Sequence, residues 1–371
     1  KRGVRRDLAD VFCTVEEGIK GRRAVEWRLV DELAPRSAFD ERVRARALAF
    51  AARSDRPDDE PGIELTRLRK AGGRGQIRYP YLSLDLDAQA RTATLMLASP
   101  TDACPDLGEA KRRGAGFWPL AMLRALDDAL LHLRFNEPGL GTLIIKTRGD
   151  AGLVAGYDAL LHAHATDWFM REVVLFAQRV FKRLDVTSRT TFAFVEPGSC
   201  FSGLLAELLF AVDRSYMLDG QLDGDPSPPP AITLSASSFG PLRMANGLTR
   251  LQTRFIGEPQ SLQRAADRIG APLDGGEALD AGLVTFAPDD IDWADEIRLL
   301  LEERASFSPD ALTGMEANLR FAGPETTESK IFGRLSAWQN WIFQRPNAVG
   351  DQGALKLYGS GRKANYDRNR V

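Results

Sequence analysis

The sequence is poor in the residue types that build covalent or metal-bound frameworks. Its 371 residues include three cysteines and three histidines. The cysteines, Cys13, Cys104 and Cys200, are odd in number and have no paired spacing, so they predict neither a disulfide framework nor a zinc site. Such cysteine usage favours a reducing compartment. We therefore expect a cytoplasmic protein without a metal centre.

The sequence also lacks an excess of one charge and a long apolar run. The 49 basic and 51 acidic side chains leave a net charge of −2 at pH 7. This balance argues against nucleic-acid and membrane-surface proteins. No apolar run approaches the roughly 20 residues of a membrane-spanning helix. We predict no nucleic-acid partner and no membrane association.

The most informative stretch is residues 191–218, TFAFVEPGSCFSGLLAELLFAVDRSYML. Residues 191–195 are typical of a buried strand, which Pro197 and Gly198 end. Residues 204–212 predict an apolar helix that carries one carboxylate, Glu207, and residues 213–218 predict another strand. The first N–H groups of a buried helix are a candidate site for an anion or an oxyanion.

The remaining chain predicts alternating strands and helices. A composition rich in Asp, Pro, Gly and Arg indicates a linker or long surface loop between the first helices and the first hairpin. The resulting order of hairpin, helix, strand, helix and strand predicts an α/β fold with mostly right-handed crossovers. The predicted elements are helices at 8–20, 21–27, 39–53, 118–135 and 168–184, a hairpin of strands at 81–87 and 92–98, strands at 141–147 and 231–234, and helices near 244–255, 262–269, 276–281 and 293–304.

Three motifs together resemble the crotonase superfamily, the enoyl-CoA hydratase and isomerase group. AGYD at 155–158 resembles the A-G-x-D element of that family. GSCFSGLLAELLFAVD at 198–213 resembles its G-x-x-x-G-G-G-x-E-L-x-x-x-x-D motif, and EALDAGLV at 277–284 is similar to E-A-x-x-x-G-L-V.

The resemblance implies crotonase-like ββα superhelical repeats and a CoA-thioester substrate. It also implies that the N–H groups of Gly156 and Leu204 form an oxyanion hole, and that Glu207 stands at a catalytic carboxylate of the hydratases. Coenzyme A would be part of the substrate, so no separate cofactor is predicted.

The sequence departs from the family pattern at the positions where the family carries its catalytic groups. Leu204 and Leu205 replace two glycines, and Ala236 stands where a partner carboxylate of Glu207 is expected. Proton delivery and removal on one substrate face need two carboxylates. We therefore predict a degenerate domain in which Glu207 is a hydrogen-bonded structural residue, with catalysis by Glu207 as the alternative.

An internal similarity predicts a duplication. Residues 23–35, RAVEWRLVDELAP, resemble residues 277–288, EALDAGLVTFAP. We expect the tail of a first repeat at 1–54, a linker at 55–78, a second, degenerate domain at 79–305 and a C-terminal helical region at 306–371. The catalytic glutamates are then expected upstream of Lys1.

This layout resembles double-length, ring-cleaving members of the superfamily. Their reaction, as the resemblance implies, opens a CoA-bound oxygenated ring without molecular oxygen and releases formate. The chain would mainly be scaffold and homodimer surface. A hydratase or isomerase that uses Glu207 and a non-catalytic scaffold remain alternatives.

The C-terminal tail carries the best local indication of ligand contact. By resemblance, Tyr358 stands where an aromatic side chain meets the CoA adenine, and Arg362 and Lys363 stand near its phosphates. Residues 362–366, RKANY, are similar to the final helix and basic tail of the family. A solvated basic tail is the alternative.

Two other patterns favour packing over catalysis. Cys200 and Ser202 suggest a nucleophile on a tight turn, but their spacing differs from G-x-S-x-G. His162 and His164 suggest a metal pair, yet side chains at i and i+2 diverge on a helix.

Overall fold

The computed structural model describes residues 2–369 and divides the chain into two compact units, Lys1–Glu60 and Pro61–Val371. The first unit contains α1 (Arg6–Thr14), α2 (Gly21–Glu26), a 3-10 turn (Arg36–Ala38) and α3 (Phe39–Ala51). The predicted helix at 8–20 ends early because the following segment contains poor helix formers, with Val15 extended and Gly18 at φ +67°. The domain boundaries stay predictions.

The second unit alternates strands and helices, as the sequence predicts. Its strands are β1 (Ala71–Gly73), β2 (Gln76–Tyr79), β3 (Leu82–Asp87), β4 (Thr92–Ala98), β5 (Thr142–Arg148), β6 (Thr190–Val195), β7 (Phe201–Ser202), β8 (Arg214–Met217), β9 (Ile232–Thr233) and β10 (Pro272–Leu273). Its helices are α4 (Leu107–Arg113), α5 (Trp118–Asn136), α6 (Ala151–Ala163), α7 (Trp168–Asp185), α8 (Gly203–Phe210), α9 (Arg250–Arg254), α10 (Pro259–Ala266), α11 (Gly275–Asp280), α12 (Trp293–Ser306), α13 (Pro309–Arg320), α14 (Thr327–Lys330), α15 (Ser336–Ile342), α16 (Pro346–Val349) and α17 (Ala354–Leu357).

Seven strands form one sheet in the order β1-β2-β3-β4-β5-β6-β8. Strands β1 to β4 pair antiparallel, and the predicted hairpin is confirmed by the β3–β4 register, with Leu82 opposite Leu97. Strands β4, β5, β6 and β8 pair in parallel. Parallel neighbours need crossover connections, which α5, α6, α7 and α8 supply. The predicted α/β class is confirmed.

The main core lies between this sheet and its crossover helices. Helices α5 and α7 each bury one apolar face, and all six residues of β6 are buried. On the other face of the sheet, Phe192, Phe194 and Tyr216 form a smaller cluster with Trp293 from α12. The sheet is therefore covered on both sides, as parallel strands require.

A second sheet, of order β10-β9-β7, sets the start of α8. Strand β7 pairs in parallel with β9, with Phe201 opposite Ile232 and Ser202 opposite Thr233. Because α8 begins at the residue after β7, this pairing fixes the position of the first helical turn.

Two sequence expectations are wrong in detail. The helix predicted near 244–255 is reduced to α9, because the N–H of Met244 bonds to the carbonyl of Leu248 in a turn and Gly247 adopts φ +86°. Residues 362–366 are irregular, with glycines at φ +76° and +73° just before them at 359 and 361. Among residues 2–369, no helix is both long and apolar enough to cross a membrane.

The two segments of the internal similarity end their helices in the same way. The N–H groups of residues 29–30 both bond to the carbonyl of Ala24, at 2.9 and 3.3 Å. The N–H groups of residues 283–284 both bond to the carbonyl of Ala278, at 2.8 and 3.4 Å. Ala24 and Ala278 are both buried. Two short sequence segments thus form one and the same helix-ending turn.

The residue before each of these turns is left-handed. Arg28 has φ +61° and Gly282 has φ +70°. A left-handed residue after a helix frees the next N–H groups to bond back to the last turn. Glycine adopts this conformation without strain, whereas arginine does so at a cost. The first unit therefore forms the shared turn even though Arg28 is unfavourable at this position.

Arg320 at the end of α13 joins the C-terminal helices to the sheet. Its guanidinium donates to both carboxylate oxygens of Asp213, at 2.8 and 2.6 Å, and to the carbonyls of Thr187 and Arg189. Asp213 in turn accepts hydrogen bonds from the N–H and hydroxyl of Thr191 in β6.

Replacing Arg320 with alanine should therefore destabilise the fold by about 3 kcal/mol, because Asp213, whose side chain is 12% exposed, would lose its counter-ion. Urea unfolding gives the free energy directly. The control is Arg298→Ala, which removes an exposed arginine that pairs with Asp295 and Glu302 on its own helix. An equally small effect of both substitutions would show that Arg320 does not anchor α13.

Candidate functional site

Helix α8 is the centre of the candidate site, because all eight of its residues are buried. It follows β6 and β7 and leads into β8, so the predicted strand, turn and helix are confirmed. The site has two ends. The first turn of α8 faces α6 and the 3-10 turn at Ala236–Phe239, and the side of the helix that carries Glu207 faces α7 and α9.

At the first end, the side chain of Asp158 lies against the start of α8. Gly203 has φ +45°, and a β-carbon there would lie 2.6 Å from Cβ of Asp158, so only glycine fits this contact. The side chain of Ser202 does not cap the helix. The Asp158 side chain thus lies beside Gly203, the first residue of α8.

Asp158 belongs to a chain of three polar side chains. The hydroxyl of Ser237 donates to Oδ1 of Asp158 at 2.6 Å. Nε2 of His162 lies 2.8 Å from the same hydroxyl oxygen and 3.7 Å from Oδ2 of Asp158. Since the serine proton is directed at the carboxylate, the imidazole takes the tautomer that donates from Nε2.

This cluster joins a buried carboxylate to a partly exposed imidazole. Asp158 is 3% exposed, Ser237 is 5% exposed and the His162 side chain is 30% exposed. The cluster is not among the predicted sites, although the spacing of Asp158 and His162 at i and i+4 places both on one helix face. Ser237 directly follows Ala236, so the hydroxyl comes from the 3-10 turn in which the sequence lacks the expected carboxylate.

The two predicted oxyanion donors lie on neighbouring helices. Gly156 lies in the middle of α6. The assignment of Gly156 and Leu204 as oxyanion donors stays a prediction. Leu204 lies in the first turn of α8 and is 2% exposed, and the Asp158 side chain stands between α6 and that turn.

Glu207 lies in the second polar cluster, with its side chain fully buried. Nη1 of Arg250 is 3.3 Å from Oε2 of Glu207, and Nη2 of Arg250 is 2.7 Å from Oδ2 of Asp185. Arg250 also donates to the carbonyl of Leu242. Burial raises the pKa of Glu207 to about 7, against the attraction of Arg250, and burial likewise raises the pKa of Asp185.

One guanidinium cannot neutralise two ionised carboxylates. With its pKa near 7, Glu207 binds a proton around neutral pH, and Arg250 is then balanced by Asp185. Oε1 of Glu207 makes no hydrogen bond to the residues that the structure describes, although the hydroxyl of Ser238 is near enough to lower its pKa. Asp185 and Arg250 border a cavity of about 260 Å³ whose lining does not include Glu207.

The tail residues lie outside both clusters of side chains. Tyr358 is 90% exposed, and Arg362 and Lys363 lie in exposed irregular chain.

Cys200, by contrast, is fully buried, and burial raises the pKa of its thiol to about 11. A thiol that stays protonated at neutral pH is a poor nucleophile.

Comparisons with known proteins identify one close relative. The chain is 48% identical over 372 aligned residues to the benzoyl-CoA-dihydrodiol lyase of Aromatoleum evansii, which covers 100% of this chain and 66% of that protein. The chain thus spans just under two thirds of the length of that relative. No protein-family model matches the chain.

Solved structures show the same fold at low sequence identity. An enoyl-CoA hydratase from Geobacillus kaustophilus HTA426 matches with a TM-score of 0.54 at 17% identity, covering 79% of this chain and 98% of that chain. An enoyl-CoA hydratase from Bacillus anthracis matches with a TM-score of 0.54 at 17% identity, covering 78% and 100%. The predicted crotonase-like fold is confirmed.

The raised pKa of Glu207 predicts a pH-dependent stability. In the folded protein the Glu207 carboxylate binds a proton more readily than an ordinary glutamate, whose pKa is 4.5. The stabilisation that this raised pKa gives to the folded state is therefore complete below pH 4.5 and is lost as the pH rises through 7. The total loss in the free energy of unfolding is about 3 kcal/mol. Asp185 acts in the same direction. Replacement of Glu207 with glutamine should flatten this slope in urea unfolding between pH 5 and 8.

The control for this measurement is Glu328→Gln, which changes an exposed glutamate in α14. It should leave the slope as in the unsubstituted protein. An unchanged slope after Glu207→Gln would mean that Glu207 is ionised throughout this range.

Proposed function

The chain has the crotonase fold and is a homologue of benzoyl-CoA-dihydrodiol lyase, and from this we propose that it is part of an enzyme that acts on a CoA thioester. The observation that carries the proposal is the 48% identity, which extends over the whole chain. Coenzyme A is then part of the substrate and not a separate cofactor.

The finer reaction follows from the same resemblance. The substrate would be 2,3-epoxybenzoyl-CoA, and ring opening with consumption of two water molecules would give a dehydroadipyl-CoA semialdehyde, which still carries CoA, and formate. The chemical requirements are donors that stabilise the enolate oxygen of the thioester and carboxylates that move protons at the ring.

We assign the residues of α8 to support rather than to this chemistry. Glu207 is buried and shares Arg250 with Asp185, so it has no access to a substrate carbon. The Asp158 side chain packs against Gly203 in the first turn of α8 and leaves no room there for a larger residue. The contribution of this domain is then scaffold.

The alternative is a hydratase or isomerase that uses Glu207.

We also propose a homodimer, which is supported by exposed apolar side chains on the C-terminal helices, such as Leu319 at 65% and Phe332 at 74% exposure. Burial of such side chains against a second copy would be favourable.

Turnover by a Glu207→Gln variant separates the two roles of this residue. For the scaffold role we expect kcat within about twofold of the unsubstituted protein, because no proton transfer is lost. General acid or base catalysis by Glu207 would instead lose about 100-fold or more. The measurement is steady-state turnover of the CoA thioester by the full-length protein, and the melting temperature checks that the variant is folded.

The tail prediction concerns Arg362 and Lys363. Because a guanidinium and an ammonium group bind phosphate through charge-assisted hydrogen bonds, replacing both with alanine should weaken CoA-ester binding by about tenfold. Isothermal titration calorimetry measures the affinity. A matched control is Lys356→Ala, which removes a cation from the neighbouring helix α17. Equal affinity of the double variant and the control for the CoA ester would show that the tail is a solvated segment that does not contact the phosphates.

A further inference from the structure

A small cavity lies at the C-terminal end of α8, in the second unit. We call it the α8 cavity, and its volume is about 260 Å³. Its lining comes from the ends of α7, α8 and α13, from α9 and from the segment before α9. Apolar cavities of about 150 Å³ bind benzene. The α8 cavity therefore has room for one six-membered ring and a small polar group.

The walls of the α8 cavity are apolar. They contain Phe210, Ala211, Val212, Met244 and Leu319. Phe210, Ala211 and Met244 are buried, whereas Leu319 is 65% exposed. The cavity is thus apolar inside and opens to solvent beside α13. Because removal of hydrocarbon surface from water is favourable, these walls fit a ligand with an apolar body.

The charges of the lining leave one cation without a counter-ion. The charged side chains of the lining are Asp185, Arg250, Arg254 and Arg320. Nη2 of Arg250 is 2.7 Å from Oδ2 of Asp185. Nη2 of Arg320 is 2.6 Å from Oδ2 of Asp213. Arg254 makes no ion pair with the residues that the structure describes, so the α8 cavity carries one uncompensated positive charge.

Two further carboxylates lie behind the lining, and neither balances Arg254. Oε2 of Glu316 is 3.7 Å from Nη2 of Arg320, but Glu316 also pairs with Arg304 at 3.4 Å. Glu207 binds a proton around neutral pH, since its pKa is raised to about 7. Neither carboxylate lines the cavity. An anion that enters the α8 cavity therefore meets a cation whose charge is still available.

Two neighbouring side chains of α9 supply hydrogen-bond donors to this cavity. Nε of Arg254 donates to the carbonyl of Gly282 at 2.6 Å, which fixes the guanidinium. Its two terminal nitrogens donate to none of the residues that the structure describes. The hydroxyl of Thr253 accepts a hydrogen bond from Asn246 at 3.2 Å, and its own proton has no acceptor in the described part of the chain. A guanidinium and a hydroxyl are suitable donors for a carboxylate.

The charge and the walls together select the class of ligand. One uncompensated cation favours a monoanion, because a second negative charge would face the carboxylate of Asp185. The apolar walls disfavour a small hydrated inorganic ion, which would lose its water there without enough replacement partners. The volume admits one ring or a short chain. These constraints are met by a small carboxylic acid.

We propose that the α8 cavity binds a small monocarboxylic acid with an apolar body, whose carboxylate accepts hydrogen bonds from Arg254 and Thr253. This inference goes beyond the proposed function and does not depend on it, because the ligand is a free acid and not a thioester. The bound acid lies against Asp185 and Arg250, which join α7 to α9. Its binding therefore stabilises the packing of the helices around α8.

The test is a ligand-observed NMR titration of the whole chain with cyclohexanecarboxylate, which has one ring and one carboxylate. Two further probes separate the contributions to its affinity. Cyclohexanecarboxamide has the same ring without the charge, and formate has the charge without an apolar body. Each should bind at least about tenfold more weakly than cyclohexanecarboxylate.

Arg254→Gln removes the charge but retains a donor. It should weaken cyclohexanecarboxylate by about tenfold or more and leave cyclohexanecarboxamide unchanged, whereas Arg254→Lys should retain most of the affinity. The matched control is Arg243→Gln, because Arg243 is also exposed and donates to one carbonyl, that of Gly247, but lies outside the lining. Cyclohexanecarboxylate should raise the melting temperature of this control and not that of Arg254→Gln.

Three results would overturn the inference. Equal affinity of Arg254→Gln and Arg243→Gln for cyclohexanecarboxylate would show that Arg254 does not hold the carboxylate. Equal affinity of the unsubstituted protein for formate and cyclohexanecarboxylate would show that the apolar walls play no part. Displacement of cyclohexanecarboxylate by benzoyl-CoA would assign the α8 cavity to a thioester site instead.

Discussion

The charge on Arg250 is the constraint on which the interior around α8 depends. Its side chain is 1% exposed and lies between Asp185 at the end of α7 and Glu207 within α8. Burial of each of these groups alone would be unfavourable, and together they compensate one another. Three helices therefore have to pack in one arrangement for these three polar side chains to be buried together, which explains how an otherwise apolar helix retains a glutamate.

The opposite end of α8 is closed in a different way. The backbone of Gly203 allows α6 to approach so closely that the Asp158 side chain packs against the first residue of α8. The contacts among Asp158, Ser237 and His162 are polar, but they satisfy one another. Both ends of the helix thus keep the crotonase-like architecture while their polar groups bond within the protein.

Much of the fold follows from patterns that the sequence displays directly. The alternation in residues 81–98 and the helical spacing of leucines in 118–135 depend on local periodicity, and the structure has these elements almost where the patterns predict them. The helix near 244–255 and the helical tail at 362–366 are wrong because glycine turns interrupt them. The A-G-x-D motif, which was the reason for the donor prediction at Gly156, lies about one and a half turns inside α6. A motif indicates a family position, but it does not indicate whether a helix has already begun.

The sequence by itself determined the α/β class, the order of the elements, the buried strand, turn and helix around Glu207, and the resemblance to the crotonases. Only the tertiary structure decided which polar groups meet. Asp158 and Ser237 are 79 residues apart and Glu207 and Arg250 are 43 apart, and no local pattern encodes such contacts. They arise because the sheet register and the packing of α6 to α9 bring distant segments together.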